Sequence, residues 1–329
     1  MNMPKNITEV LSQEEIKALL KRSNLKGWFS VATTWGLIAF SFGLVAWKVH
    51  PLTVGLALVL LGGRQLALSI LMHEASHRSL FESRWLNDQV GKWLCAAPVW
   101  QRLADYRKHH MGHHNHTGTE KDPDLGLVEP FPTSKRSLFR KFFRDLTGIS
   151  GLKRIYGLLL MDFGFIKYTA SVNVEKIDQT QRTLKDTMSD GVSNLVPVIL
   201  TNAAIFGALW AVGHGWLYSL WAIAYLTTFS LFIRIRSIAE HACTERTDNP
   251  FLNTRTTYSN PITRLTIAPH HVNYHLEHHL LMTVPHYNLP RFHRLLQEKG
   301  ITEQAHVEKG YTRVLQKVIL PTKTSQQVQ

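Results

Sequence analysis

The stretch LTVGLALVLLGGRQLALSILMHEASH, residues 52–77, decides the fold. Residues 52–72 are apolar except for Arg64 and Gln65. At about 1.5 Å of helix per residue that length crosses a bilayer's hydrocarbon core. The segment then runs without a break into His73 and His77, four residues apart and therefore on one helix face. A membrane helix that ends in paired imidazoles points to a metal site at the membrane boundary, because neutral imidazole is the commonest protein metal ligand.

Working outward, residues 28–49 are apolar until Lys48, and a second pair of apolar segments lies at about 195–213 and 215–239. Very short turns join the partners, marked by Pro51 and by Gly213-His214-Gly215. The pattern predicts an all-α integral membrane protein with four transmembrane helices in two hairpins (about 28–49, 52–72, 195–213 and 215–239). The first apolar segment begins too late and is too long for the core of a cleavable signal peptide. A mean hydropathy of −0.10 hides this segregation.

Eighteen histidines occur, seven between 73 and 116 and eight between 241 and 293. Beyond His73 and His77 there are two H-x-x-H-H boxes: His110, His113 and His114, flanked by His109 and His116, and His275, His278 and His279, preceded by His270 and His271. Offsets of three and four place each box on one helix face. The eight imidazoles of the three boxes are too many for one four-coordinate zinc, so the expectation is a site for more than one ion. The second and fourth apolar segments run directly into His73 and into Glu240-His241. Helices carrying the other boxes can fold over the same surface.

The net charge of +13 is placed by this topology. Residues 73–194 and the chain after 240 are rich in Lys and Arg, and the hairpin tips carry almost none. The positive-inside rule then predicts both termini, 73–194 and 240–318 on the cytoplasmic side, with a bacterial inner membrane as the expected location. No nucleic-acid motif accompanies the charge, so no nucleic-acid partner is expected. Cys95 and Cys243 imply no disulfide framework.

The domain reading is a cytoplasmic or interfacial segment 1–27, one catalytic unit 28–318, and a disordered tail 319–329. Glu9 to Arg22, with Leu11, Ile16, Leu19 and Leu20, suggests an amphipathic helix lying on the membrane. Lys92–Trp100 and Ile155–Met161 are apolar but too short to span, and are expected at the interface. Residues 240–318 read as mostly helical apart from Asp248–Pro261.

The order H-x-x-x-H, H-x-x-H-H, H-x-x-H-H, interleaved with two hydrophobic hairpins, resembles the membrane-bound fatty-acid desaturase and hydroxylase superfamily over about residues 30–295. His73-Glu-Ala-Ser-His77, the stretch Thr117 to Asp124, and Asn273-Tyr-His-Leu-Glu-His-His279 are similar to bacterial-type fatty-acid desaturases. The resemblance implies two iron ions, dioxygen as co-substrate, and removal of two hydrogens from an acyl chain of a lipid or thioester. Carried over by position, the implied ligands are His73, His77, His110, His113, His114, His275, His278 and His279. His241 matches a further histidine that the family often has after its last membrane helix. Relatives that place a metal-contacting Asn four residues earlier differ from this chain, which has Ser237.

Asp105, Glu120, Asp122, Asp124, Glu240 and Asn273 are candidates to orient ligand rings by hydrogen bonding. His109, His116, His270 and His271 are expected in supporting or surface roles. Arg64, alone in mid-span, is a candidate to pair inside the bundle or to border a substrate tunnel.

Three rival readings remain. A hydroxylase or carotenoid ketolase could use the same metal centre. His73-Glu-Ala-Ser-His77 also matches the H-E-x-x-H of zinc proteases, though that leaves two boxes unexplained, and Glu74→Gln is expected to leave a desaturase its metals. A metal transporter would place ligands near mid-membrane. The chain lacks a haem-binding His-Pro-Gly-Gly, a cysteine iron–sulfur set and a G-x-G-x-x-G loop. The electron donor is therefore expected to be separate, a ferredoxin or b-type cytochrome with its reductase.

Overall fold

A computed structural model describes residues 4–320. The chain is mostly helical, and four helices are long and apolar enough to cross a membrane: Asn24–Trp47, Pro51–Ser76, Leu184–Ala211 and Gly215–His241. These are the first to fourth spans below.

Local chemistry sets their ends. Ser23 caps the first span, its hydroxyl accepting from Lys26 N. The second starts with Pro51 in its first turn behind His50, whose ring accepts from Leu52 N. It continues to Ser76 rather than stopping at 72, so the first histidine box belongs to the span itself. The third begins well before the expected 195, because Thr183 and Asp186 form a reciprocal cap and polar residues such as Asp190 prolong the helix. The fourth is broken at Thr227 (φ −110°, ψ −87°), between helices Tyr218–Leu226 and Thr228–His241.

The second span is the axis of the molecule. Leu61, Leu66, Leu68, Leu71 and Ala75 are all fully buried. Two glycines allow the close approaches. A Cβ on Gly62 would lie 2.2 Å from Thr228 Oγ1, and one on Gly63 would lie 2.1 Å from the Leu265 carbonyl. Arg64, the next residue, is buried and donates through Nη2 to the carbonyls of Arg264 (3.2 Å) and Leu265 (2.9 Å). It ties the connection 261–271 to the middle of the span. By contrast, Val192, Val196, Ile199, Leu200 and Phe206 of the third span are exposed, a surface suited to lipid.

Between the second and third spans lie helices Arg84–Val90, Leu103–His116, Lys135–Leu146 and Ile149–Asp162. Arg107 fastens Leu103–His116 to the end of the second span: Nε donates to Ser76 O (2.9 Å) and Nη2 to Ala75 O (3.2 Å) and Asp88 (2.5 Å). Arg234 grips the fully buried Asp145 with two N–H donors and so docks Lys135–Leu146 on the fourth span.

Four expectations change. The amphipathic helix expected over 9–22 is the short Gln13–Leu19. Leu11 and Leu19 do not face lipid: they are buried with Leu276, Phe292 and Leu296, and helix Leu289–Glu298 offers that apolar face a protein partner. Lys92–Trp100 is not simply interfacial, since Cys95, Ala96, Ala97 and Val99 are buried and Gly91 abuts Ala75. Residues 242–318 are mostly connections around short helices such as Pro261–Leu265, His275–Leu280 and Tyr311–Lys317, with one parallel pairing of Thr256–Thr257 against Val307–Glu308. Pro269 and the left-handed His270 (φ 52°) and His271 (φ 58°) stop a longer helix there. The expected tail 319–329 lies outside the described residues except for Ile319 and Leu320, which are held: Leu320 N donates to Thr133 O at 2.9 Å.

Candidate metal centre

Four separate pieces of backbone bring imidazoles together. The last turn of the second span carries His73, and His77 closes it. Helix Leu103–His116 carries His110, His113 and His114 on one face. The fourth span ends on His241, and helix His275–Leu280 presents His275, His278 and His279.

They converge as two adjoining sets. In one, a ring nitrogen of each of His73, His77, His110, His114 and His278 lies within 4.8 Å of every other. His113, His241, His275 and His279 form the second set by the same measure. The sets share a border: the rings of His114 and His279 are 4.3 Å apart, centre to centre, and those of His275 and His278 are 5.7 Å apart.

The protonation pattern fits metal binding. His241 Nδ1 lies 3.1 Å from the Asn253 carbonyl, which can only accept, so that nitrogen carries the proton. His113 Nδ1 faces the Asp122 carboxylate at 2.8 Å and His73 Nδ1 faces Glu74 at 3.2 Å. In a neutral ring each of these partners leaves Nε2 as a bare lone pair. Yet Nε2 atoms point at one another: His241 to His275 at 2.8 Å, His114 to His110 at 3.0 Å, His114 to His278 at 3.0 Å and His275 to His279 at 3.1 Å. The Nε2 atoms of His73 and His77 are buried without a hydrogen-bond partner. Converging lone pairs repel unless a cation lies among them. A metal–nitrogen bond of about 2.1 Å sets neighbouring octahedral ligands about 3 Å apart and opposite ones about 4.2 Å apart. Both sets fit an ion.

Burial enforces the neutral form. It pushes His77 down to about 3, helped by the Arg107 charge. Burial and then the neighbouring imidazoles hold His110, His114, His275, His278 and His279 well below the usual imidazole range. His113 is the exception: burial works against its charge, but the hydrogen bond to Asp122 and the nearby Asp124 and Glu240 raise it.

All nine histidines expected as ligands are in the two sets. Of the proposed orienting groups, Asp122 meets His113, and Asp124 meets His109 at 2.9 Å. Glu240 stands 3.5 Å from His275 Nδ1 while accepting from Arg236 Nε at 2.6 Å. Asp105 instead pairs with Arg102 at 2.7 Å, Glu120 is exposed, and Asn273 is buried with its backbone carbonyl accepting from Thr257 N. His116 is exposed. His270 and His271 share no face with His275. His270 meets Thr34 Oγ1 at 2.9 Å and packs edge-on against His286. Arg64 does not border the cavity described next; it is a clamp on 264–265.

The sequence reading missed the bracing role of two carboxylates. Glu74 is wired to the site: Oε1 faces His73, and Oε2 accepts from Ser79 Oγ (3.0 Å) and His286 N (2.9 Å). Its adjacency to His73 was the available signal. Both oxygens are engaged, unlike the free general base that a zinc protease needs. This geometry couples Glu74 to a candidate ligand and so argues against the expectation that Glu74→Gln leaves the metals in place. Glu277 holds His293 (2.5 Å) and Thr256 (2.5 Å), bracing the third box from behind.

A cavity of about 690 Å³ opens beside His110, His113, His241 and His275. Leu66, Met72, Leu158, Phe229 and Ile233 supply an apolar wall, and Tyr106, Asp124, Arg236, Ser237 and Glu240 a polar one.

Comparison with known proteins agrees with this construction. Residues 49–308 match the family model described as fatty acid desaturase. The chain is 28% identical over 302 residues to the dihydrorhizobitoxine desaturase of Bradyrhizobium elkanii, covering 87% of this chain and 80% of that protein. It is 27% identical to the sn-1 oleoyl-lipid 12-desaturase of a Synechocystis species, with 90% and 84% covered. It is also 27% identical to the beta-carotene ketolase of a Paracoccus species, with 78% and 85% covered. An oxidoreductase with four apolar helices and histidine clusters able to hold metal, this chain belongs to the fatty acid desaturase family.

Proposed function

We propose that this oxidoreductase is a di-iron, dioxygen-dependent desaturase that introduces a double bond into a fatty acyl chain. The observation that carries this reading is the meeting of five and four imidazoles in adjoining sets beside a largely apolar cavity.

In this reading His73, His77, His110, His114 and His278 hold one ion, and His113, His241, His275 and His279 the other. When bound, the iron pair supplies dioxygen activation and the oxidising power to break an unactivated C–H bond. The chain's own part is to fix geometry. Glu74, Asp122 and the Asn253 carbonyl keep protons on Nδ1, so that Nε2 is free to ligate. Leu66, Met72, Leu158 and Phe229 shape a dry wall that lays hydrocarbon against His110 and His275. Charge asymmetry supports two hairpins with the termini and the histidines on the cytoplasmic side, where a separate ferredoxin or b-type cytochrome supplies electrons.

The similarity to a ketolase supports oxygen insertion as a second outcome of the same centre. The two outcomes differ in the product. The protein, expressed in a host with a simple lipid profile, should yield acyl products lacking two hydrogens, whereas insertion yields products that gain oxygen. His278→Ala should abolish either. Protein isolated fully loaded with one ion or none per chain would refute the reading.

A further inference from the structure

The cavity's polar wall sets hydroxyls and a guanidinium beside the carboxylates of Asp124 and Glu240, and among the described residues some of its donors meet no protein acceptor. Arg236 lines it in the last turns of the fourth span, its Nε spent on Glu240 at 2.6 Å. Among the described residues its two Nη groups donate to no protein acceptor. Tyr106, whose ring stacks on His110 at 5.2 Å, lines the same wall, and Ser237 lines it as well. Neither hydroxyl has a protein partner among the described residues.

A methylene chain lying along this wall would strip water from a guanidinium and return nothing, which is costly. An ionisable side chain that lines a cavity within a membrane-spanning helix is by default a candidate for function. The guanidinium fork with one edge free matches a planar oxygen anion. Its position is also specific. Arg236 bonds Glu240, and Glu240 lies 3.5 Å from His275 Nδ1, so the free edge sits one carboxylate away from a candidate ligand.

We propose that Arg236 anchors a substrate carboxylate within a few bonds of the carbon that is oxidised. Tyr106 and Ser237 are the hydroxyls placed to share that carboxylate, and the apolar tail lies along Leu158, Phe229 and Ile233. The substrate is then a free carboxylate that enters head first, not an acyl chain held by a large carrier at the mouth. This rests on the metal-centre reading above and narrows its substrate class.

The test is binding, measured without dioxygen or electron donor, so it does not depend on turnover. Metal-loaded protein in nanodiscs of zwitterionic lipid is titrated with decanoate and with methyl decanoate. Wild type should bind the carboxylate roughly ten- to a hundredfold tighter than the ester. Arg236→Gln should lose that preference and leave ester binding unchanged, while Arg236→Lys keeps part of it. Equal affinity for acid and ester in wild type overturns the proposal. So does loss of bound metal in Arg236→Gln with retention in Arg236→Lys, which would make Arg236 a support for Glu240 alone. Arg236-dependent decanoate binding in a protein that oxidises nothing would leave the anchor standing and remove the proposed reaction. Oxidation of lipid-esterified chains with decanoate binding indifferent to Arg236 would do the reverse.

Discussion

Glu74→Gln tests how the protein prepares its first histidine. Three donors converge on the Glu74 carboxylate: His73 Nδ1 at 3.2 Å, Ser79 Oγ at 3.0 Å and His286 N at 2.9 Å. Glutamine has the same shape but only one accepting oxygen. If that oxygen keeps Ser79 and His286, the amide NH2 faces His73 Nδ1. The ring must then accept there and carry its proton on Nε2, the nitrogen that faces the other imidazoles. If the amide turns the other way, the buried His286 N–H loses its acceptor, at about 1–3 kcal/mol, while Ser79 Oγ still donates to the Glu74 carbonyl at 3.0 Å. In the first arrangement an ion in the five-histidine set is held less well. Loss of such an orienting partner typically costs about 10- to 100-fold in metal affinity, or about 1.4–2.7 kcal/mol. Chelator competition on purified protein, with iron counted by elemental analysis, reads this directly. The four-histidine set, which Glu74 does not touch, should keep its ion. Wild-type affinity at both positions in Glu74→Gln would refute this account of tautomer control.

Gly63→Ala sets a methyl 2.1 Å from the Leu265 carbonyl and 2.9 Å from Thr266 Cα, both backbone. It should destabilise the protein by about 1–3 kcal/mol and loosen the third box, seen as a lower melting temperature together with reduced iron content. An unchanged melting temperature would count against the close packing of 261–271 on the second span. In metal-free protein, acid should be destabilising. His77 and His286 are pushed down to about 3 by burial first, then by Arg107 and His271 respectively. A depressed folded value means their stabilising contribution is complete above the unfolded value of about 6.5. It is lost as pH falls toward about 3, at about 1.4 kcal/mol per pH unit for each group. A melting temperature that stays flat from pH 7 to pH 5 would contradict this.

The spans and the three boxes were legible because each rests on short-range pattern: apolar length for the former, offsets of three and four for the latter. The rest depends on partners far along the chain. Asp122 and Glu120 are two residues apart and chemically alike, yet only Asp122 turns inward to His113. Arg236 hides inside an apolar run, and only the fold shows that it faces a cavity rather than lipid. The third box has helical spacing, but the segment before it is bent by left-handed His270 and His271, a backbone choice that side-chain periodicity does not report. Leu11 and Leu19 announce an apolar face, and composition cannot say whether lipid or protein covers it.

That covering links segments far apart in the order of synthesis. Ile7, Leu11 and Leu19 bury against Leu276, Phe292 and Leu296, Ser23 N donates to Tyr287 OH at 2.7 Å, and Asn288 Nδ2 donates to Leu19 O at 2.8 Å. The ribosome makes the first of these partners long before the second. Until residues 276–296 are made, Leu11 and Leu19 have no seat, and the clasp behind the third box stays open. A change at residues 7–19 therefore acts on the candidate metal site as if it had been made at 287–296.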